Sequence, residues 1–182
     1  MLQKRLTPGT RKSCFPSGIM LLSMFLCLAR DGQSQIHSAE LQAAGLTCAM
    51  CSNAINKSLK TLSFIQRVDV DLKRSSFTLL FNPSGLVDLD AIRNKVEDAG
   101  FSVSSLSVQA TATSPVKGNS IQIGSQWVCF VVPGDYPVTG NLHFKIIDKG
   151  FVLEKEYKKY RKLIESVSCA EGAVKPVRGK LL

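Results

Sequence analysis

Between Ser38 and Val108 the spacing of apolar residues switches between the two-residue period of a strand and the 3.6-residue period of a helix, in an order that leaves few chain paths open. Leu41, Ala43 and Leu46 read as a short strand, and a helix then begins at Cys51 and runs through Ala54, Ile55, Leu59 and Leu62. Arg67-Val68-Asp69-Val70-Asp71-Leu72-Lys73 alternates strictly, which predicts a strand burying Val68, Val70 and Leu72. A polar turn at Arg74-Ser75-Ser76 leads into Phe77-Thr78-Leu79-Leu80-Phe81, so the two strands form a hairpin. Asn82-Pro83-Ser84-Gly85 breaks the chain. Asp88 is a good N-cap for a helix carrying Leu89, Ile92, Val96 and Ala99, and Gly100 ends it. A last strand starts at Phe101 and includes Val103.

The order β-α-β-β-α-β over residues 38–108 is the ferredoxin-like split βαβ arrangement, an α+β fold. Residues 109–119 are small and polar without periodicity and read as a linker. Residues 120–182 read as a small β-rich unit with one amphipathic helix. Gln126–Val132 and Asn141–Ile147 have strand character, separated by a turn-rich Pro133-Gly134-Asp135-Tyr136-Pro137. A helix from Glu154 to about Ser166 puts Leu153, Tyr157, Tyr160 and Ile164 on one face and Lys155, Lys158, Lys159 and Lys162 on the other, a solvated face or a docking face for an acidic partner. Trp127 reads as a core anchor.

The chemistry gathers at Gly45-Leu46-Thr47-Cys48-Ala49-Met50-Cys51, where two thiols meet at the junction of a strand and a helix. A thiolate is the metal ligand, and a cysteine in the first turn of a helix sits near unpaired N–H groups and the positive end of the helix dipole, which lower its pKa. Sulfur donors select Cu(I), Zn(II) or another thiophilic ion, and two local ligands suit the low coordination number of Cu(I) better than a four-ligand zinc cage. Cys48 and Cys51 are therefore the candidate metal ligands, with the Met50 thioether as a possible assistant. His143 together with Cys129 is a candidate second soft pair, against the ordinary reading of a surface or core histidine.

Taken together, Gly45-x-Thr47-Cys48-x-x-Cys51, Ile55, Leu59, Leu62, the Val68/Val70 strand, Phe81-Asn82-Pro83 and Ala99-Gly100-Phe101 resemble the heavy-metal-associated (HMA) domain. That module occurs in copper chaperones, in the N-terminal extensions of copper-transporting P-type ATPases and in periplasmic mercury-binding proteins. The resemblance implies Cu(I) held by Cys48 and Cys51 and passed to a metal donor or acceptor protein, such as a membrane metal transporter, by ligand exchange. It also leaves Hg(II), or Zn(II), as cargo. Two positions depart from the family pattern: Leu46 stands where Met is usual, and Phe101 stands where chaperones often carry Tyr or Lys. Both read as apolar packing.

The first 34 residues read as a signal peptide: Lys4, Arg5, Arg11 and Lys12 precede the uncharged run Gly18–Ala29, and Gly32-Gln33-Ser34 offers a cleavage site. Left uncleaved, the run would anchor the chain, although about a dozen apolar residues fall short of the roughly 20 that span a bilayer; Cys27 lacks the small preceding residue of a lipoprotein site. The expected location is periplasmic or otherwise extracytoplasmic. Lys4, Arg5, Arg11, Lys12 and Arg30 against Asp31 account for four of the nine net positive charges. The remaining +5 and the lack of basic patches interleaved with aromatics argue against a nucleic-acid partner. Four of the six cysteines lie beyond the leader, and Cys129 with Cys169 is a candidate disulfide, with buried thiols as the alternative.

Nothing in the residue pattern points to an enzyme. Thiol–disulfide exchange also uses Cys-x-x-Cys at a helix start, but within a different β-α framework and with another intervening pair than Ala49-Met50. A metal-dependent interaction module, with the C-terminal unit as reader, is the remaining class.

Overall fold

The computed structural model describes residues 35–46, 48–113, 119–124, 126–131, 139–169 and 176–182. The expected leader, the Pro133–Pro137 turn and the stretch 114–118 lie outside the described residues. Strand β1 (Gln35–Ala44) leads to helix α1 (Ala49–Leu59), strands β2 (Ile65–Asp71) and β3 (Ser76–Phe81), helix α2 (Leu89–Asp98) and strand β4 (Ser102–Ala112). These strands lie in the order β2-β3-β1-β4, all antiparallel, which is the ferredoxin-like topology the period changes imply.

Both boundaries of α2 have a local cause. The Asp88 carboxylate accepts a hydrogen bond from the Ala91 N–H at 3.1 Å and caps α2. Gly100, at φ +88°, ends α2 in a conformation that a side chain would strain, and the Phe101 N–H bonds back to the Val96 carbonyl at 3.1 Å. Leu89, Ile92 and Val96 on α2, with Ile55 and Leu59 on α1, are fully buried against Leu41, Phe77, Leu79 and Leu106 of the sheet. Burying such side chains contributes about 1.5–3 kcal/mol each.

Three details differ from the sequence reading. Helix α1 starts two residues earlier than Cys51, and its inward face uses Ser52, Ile55 and Leu59 while Ala54 is exposed. Leu72, expected in the core beside Val68 and Val70, falls after the end of β2 and is 58% exposed. The chain is already turning there: the Asp71 carboxylate accepts from the Lys73 and Arg74 N–H groups, and Ser75 sits at φ +50°.

The third difference is larger. Residues 109–112, read as the start of a linker, are strand: β4 continues to Ala112 and pairs with β7 (Gly140–Ile146) from Leu106 through Ala112. Gln109-Ala110-Thr111-Ala112 is an alternating strand whose inward residues are small, so its period was hidden; Ala110 and Ala112 are both buried. Beyond β7 the sheet runs on through β8 (Val177–Leu181), β6 (Gln126–Phe130) and β5 (Ser120–Ile123), giving eight strands in the order β2-β3-β1-β4-β7-β8-β6-β5. All described residues belong to one compact unit, and one buried cluster runs from Ile55 and Leu79 to Phe144 and Val177.

Helix α3 (Glu154–Ser166) packs Tyr157, Tyr160 and Ile164 against Val131 and Ile147, as its apolar stripe requires, while Leu153, expected on that stripe, precedes the helix and is exposed. Its lysine face, Lys155, Lys158, Lys159 and Lys162, is exposed. Cys129, at the buried end of β6, is disulfide-bonded to Cys169 just after α3, with Cα atoms 5.6 Å apart. That bond removes Cys129 as a metal partner for His143. Trp127 is half-buried beside Gln122 rather than a core anchor.

Candidate metal centre

The candidate metal loop joins β1 to α1. Gly45 turns the chain out of β1 at φ +82°, a left-handed conformation suited to glycine. Leu46 and Phe101 are half-buried and pack against the main core, so both departures from the family pattern keep an apolar contact. Thr47 lies outside the described residues.

Cys48 is the N-cap residue of α1 and Cys51 lies in the first turn. The Cys48 sulfur accepts a hydrogen bond from the Cys51 N–H at 3.4 Å, and the two sulfurs lie 2.7 Å apart. Two intervening residues thus bring both thiols to one point, as the spacing implies. The thiol at the helix terminus is Cys48 rather than Cys51. Its hydrogen bond to the Cys51 thiol, and then that from the Cys51 N–H, hold its pKa below the ordinary thiol value. Helix α1 has no acidic residue in its first turn, so a thiolate there is the group that answers the positive helix end.

The surroundings keep the pair accessible. Cys48 is exposed, Cys51 is half-buried, and Met50 is 83% exposed, so its thioether is not packed beneath the loop. A shallow recess of about 170 Å³ beside Cys48 is lined by Leu46, Ala49, Ser52, Leu72 and Ser75. Leu72 therefore leaves the core to wall the recess beside Cys48. The sequence reading missed that role because Leu72 continued an alternation that the turn cuts off.

Among the described residues no group of three or more His, Cys, Asp or Glu side chains gathers as a metal cage. The donors at the loop are two sulfurs, a set for thiophilic ions of low coordination number. An ion gripped by two thiolates at about 2.3 Å each needs the sulfurs further apart than they stand here. Opening that gap means moving the exposed Cys48 sulfur off the Cys51 N–H, so metal binding exchanges the side-chain cap of α1 for a metal–sulfur bond.

Residues 40–102 match the model of the heavy-metal-associated domain. A probable copper-transporting ATPase of Arabidopsis thaliana is 30% identical over 117 residues, which cover 57% of this chain and 12% of that protein. Human copper-transporting ATPase 2 is 34% identical over 77 residues, 42% of this chain and 5% of that one. The chain thus spans only a small part of the length of these relatives. Among solved structures, the yeast copper transporter domain CCC2A is 28% identical and covers 37% of this chain and 90% of its own, with a TM-score of 0.33. Residues 40–102 of this chain, which carry Cys48 and Cys51 at the start of α1, are thus similar to heavy-metal-associated domains.

Proposed function

We propose that this protein is an exported carrier of soft metal that holds one Cu(I) between Cys48 and Cys51, for copper trafficking or resistance. The observation that carries the reading is the convergence of two accessible thiols at the start of α1, one with a depressed pKa, in a domain of the heavy-metal-associated type. Because Cys48 is exposed, an incoming thiolate of a partner reaches the metal before either sulfur leaves. Transfer then proceeds by ligand exchange, one sulfur at a time, to or from a metal donor or acceptor such as a membrane transporter. The copper-transporting relatives support copper as cargo; Hg(II), which the same two sulfurs suit, is the alternative cargo.

Export is supported by the leader-like first 34 residues and by the Cys129–Cys169 disulfide, a bond that persists in oxidising compartments. In such a compartment the closeness of Cys48 and Cys51 also favours a second reading, thiol–disulfide exchange, since a depressed thiol pKa activates either chemistry.

Titration of the leaderless, reduced chain with Cu(I) against a chromophoric chelator tests the assignment. One equivalent binds tightly, and Cys48→Ser with Cys51→Ser abolishes binding while circular dichroism stays unchanged. Stoichiometric binding retained in that double variant would falsify it. Competition with Hg(II) and Zn(II) ranks the cargo, and turnover of a disulfide substrate by the metal-free protein would favour the redox reading.

A further inference from the structure

The chain contains two histidines, and both line one recess. His37 is on β1 and His143 on β7, and the two strands flank β4. Their side chains reach the sheet face opposite α1 and α2, where Gln109 and Thr111 of β4 and Asn141 of β7 complete the walls of a recess of about 270 Å³. His143 stands directly across from Gln109 in the β4–β7 ladder.

A β-bulge brings His37 there. In the β1–β4 ladder Ile36 pairs with Ala110 and Ser38 with Gln109, so His37 is an extra residue on β1. Such a bulge re-aims a side chain. Ile36 stays buried, while His37 bonds to the Thr111 hydroxyl and Ser38 to the Gln109 amide on the open face. Two strand spacings of 4.7–4.9 Å put the two histidine backbones about 10 Å apart across β4, a span that two imidazoles can bridge through one ion.

The hydrogen bonds also assign the His37 tautomer. Thr111 donates its one hydroxyl proton to the Asn141 side-chain oxygen at 3.1 Å, so toward His37 Nε2, 2.7 Å away, it accepts. In the neutral imidazole Nε2 then carries the proton and Nδ1 keeps the lone pair. A metal-binding histidine is oriented in this way, its second nitrogen donating to an outer partner.

We propose that His37 and His143 form a second metal site for one borderline divalent ion, Cu(II) ahead of Zn(II), with the Gln109 and Asn141 amide oxygens and water completing the shell. Nitrogen and oxygen donors in a tetragonal arrangement suit Cu(II), which also heads the affinity order of the divalent first-row metals. The site lies toward the far end of β1 from the Cys48/Cys51 loop, roughly 20 Å along the strand, so it does not depend on the Cu(I) assignment. The chain would then receive copper in either oxidation state at separate places.

The test uses the full chain carrying Cys14→Ser, Cys27→Ser, Cys48→Ser and Cys51→Ser, so that no thiol outside the Cys129–Cys169 disulfide binds or reduces the probe, Cu(II) supplied as its glycine complex. One Cu(II) binds, with an electron paramagnetic resonance signal split by two imidazole nitrogens. His37→Gln and His143→Gln each weaken binding at least tenfold, and the pair removes it. Thr111→Val, which takes away the orienting partner of His37, weakens it about tenfold. Unchanged affinity in either histidine variant overturns the proposal, as does a signal from a single imidazole. Both histidines are exposed, and repeating each substitution with Asn separates loss of a ligand from an effect on the fold.

Discussion

The two halves of the molecule use the same residue type to opposite ends. In the first half Cys48 and Cys51 lie three residues apart at an accessible helix start, where joining them would close a very short loop. In the second half Cys129 and Cys169 are 40 residues apart, and their bond ties the end of α3 to β6. Closing a long loop removes much entropy from the unfolded chain, whereas closing a short one removes little. The distant pair therefore stabilises the fold, and the adjacent pair is left for chemistry. Joining the halves is β4, whose Ala110 and Ala112 belong to the same buried cluster as Leu79 and Phe144.

The disulfide provides the largest test of this contrast. Cys129→Ser with Cys169→Ser should lower the unfolding free energy by about 4 kcal/mol, from the loop-closure estimate for 40 residues. Denaturant titration measures the loss, and Cu(I) stoichiometry should stay at one. A Cu(I) site lost along with the disulfide would break the division of labour between the pairs.

A second test asks whether the halves unfold together. Trp127, the one tryptophan, sits on β6 in the second half and reports there by fluorescence. If the shared sheet makes one cooperative unit, Cu(I) bound at Cys48 and Cys51 stabilises the strands around Trp127 as well. At a free Cu(I) level 100 times the dissociation constant, the shift is about 2.7 kcal/mol. A Trp127 midpoint that ignores Cu(I) would mean that the halves unfold separately. The same titration followed against pH tests the Cys48 pKa. Its depressed value keeps the thiolate populated at lower pH than an ordinary cysteine, so affinity holds as pH falls until that pKa is reached and then declines as protons compete with the metal. In a variant that keeps Cys48 but carries Cys51→Ala, which removes the main cause of the shift, direct titration of the Cys48 thiol should move up in pH.

Much of the first half was legible because its residues serve one purpose at a time. Leu89, Ile92 and Val96 repeat with the helix, Asp88 and Gly100 bracket it, and all five behave as their residue types require. Leu72 was misread because alternation alone does not show where a strand stops; the Asp71 side chain, which gathers the Lys73 and Arg74 N–H groups, sets that end. The second half was less legible for physical reasons. Ser120–Ile123 is too short to show a period, and Val177–Leu181 carries Gly179 at its centre. Glycine there is a packing requirement: an added Cβ would approach the Phe144 ring and a Val128 methyl at 3.1 Å. At the metal loop the thiol spacing was readable and the rotation of Cys48 onto the helix terminus was not, because it depends on where α1 begins. The partnership of His37 with His143 was hidden altogether, since 106 positions separate them and only the ladders on either side of β4 bring them together.

The smallest effects compare how each half starts a helix. Helix α2 has the Asp88 cap, and Asp88→Ala should cost about 1 kcal/mol by leaving the Ala91 N–H without its side-chain acceptor. Helix α3 starts at Leu153, which has extended backbone at φ −60° and ψ 144° but makes no side-chain cap bond. Leu153→Ser supplies a hydroxyl there with Glu156 three residues on, the spacing of a capping box. Glu156 is already held by Lys145 at 2.7 Å, so only the serine half of the box forms, and Leu153 gives up some apolar contact. The net gain should be about 0.5 kcal/mol, below that of a full cap. If α3 is instead fixed at its far end by the Cys169 bond, the gain should grow when Cys129 and Cys169 are replaced by serine, because a helix no longer stapled depends more on its own first turn. Thermal melts of the four combinations measure that coupling, and additivity within about 0.3–0.5 kcal/mol would show the two ends of α3 to be independent.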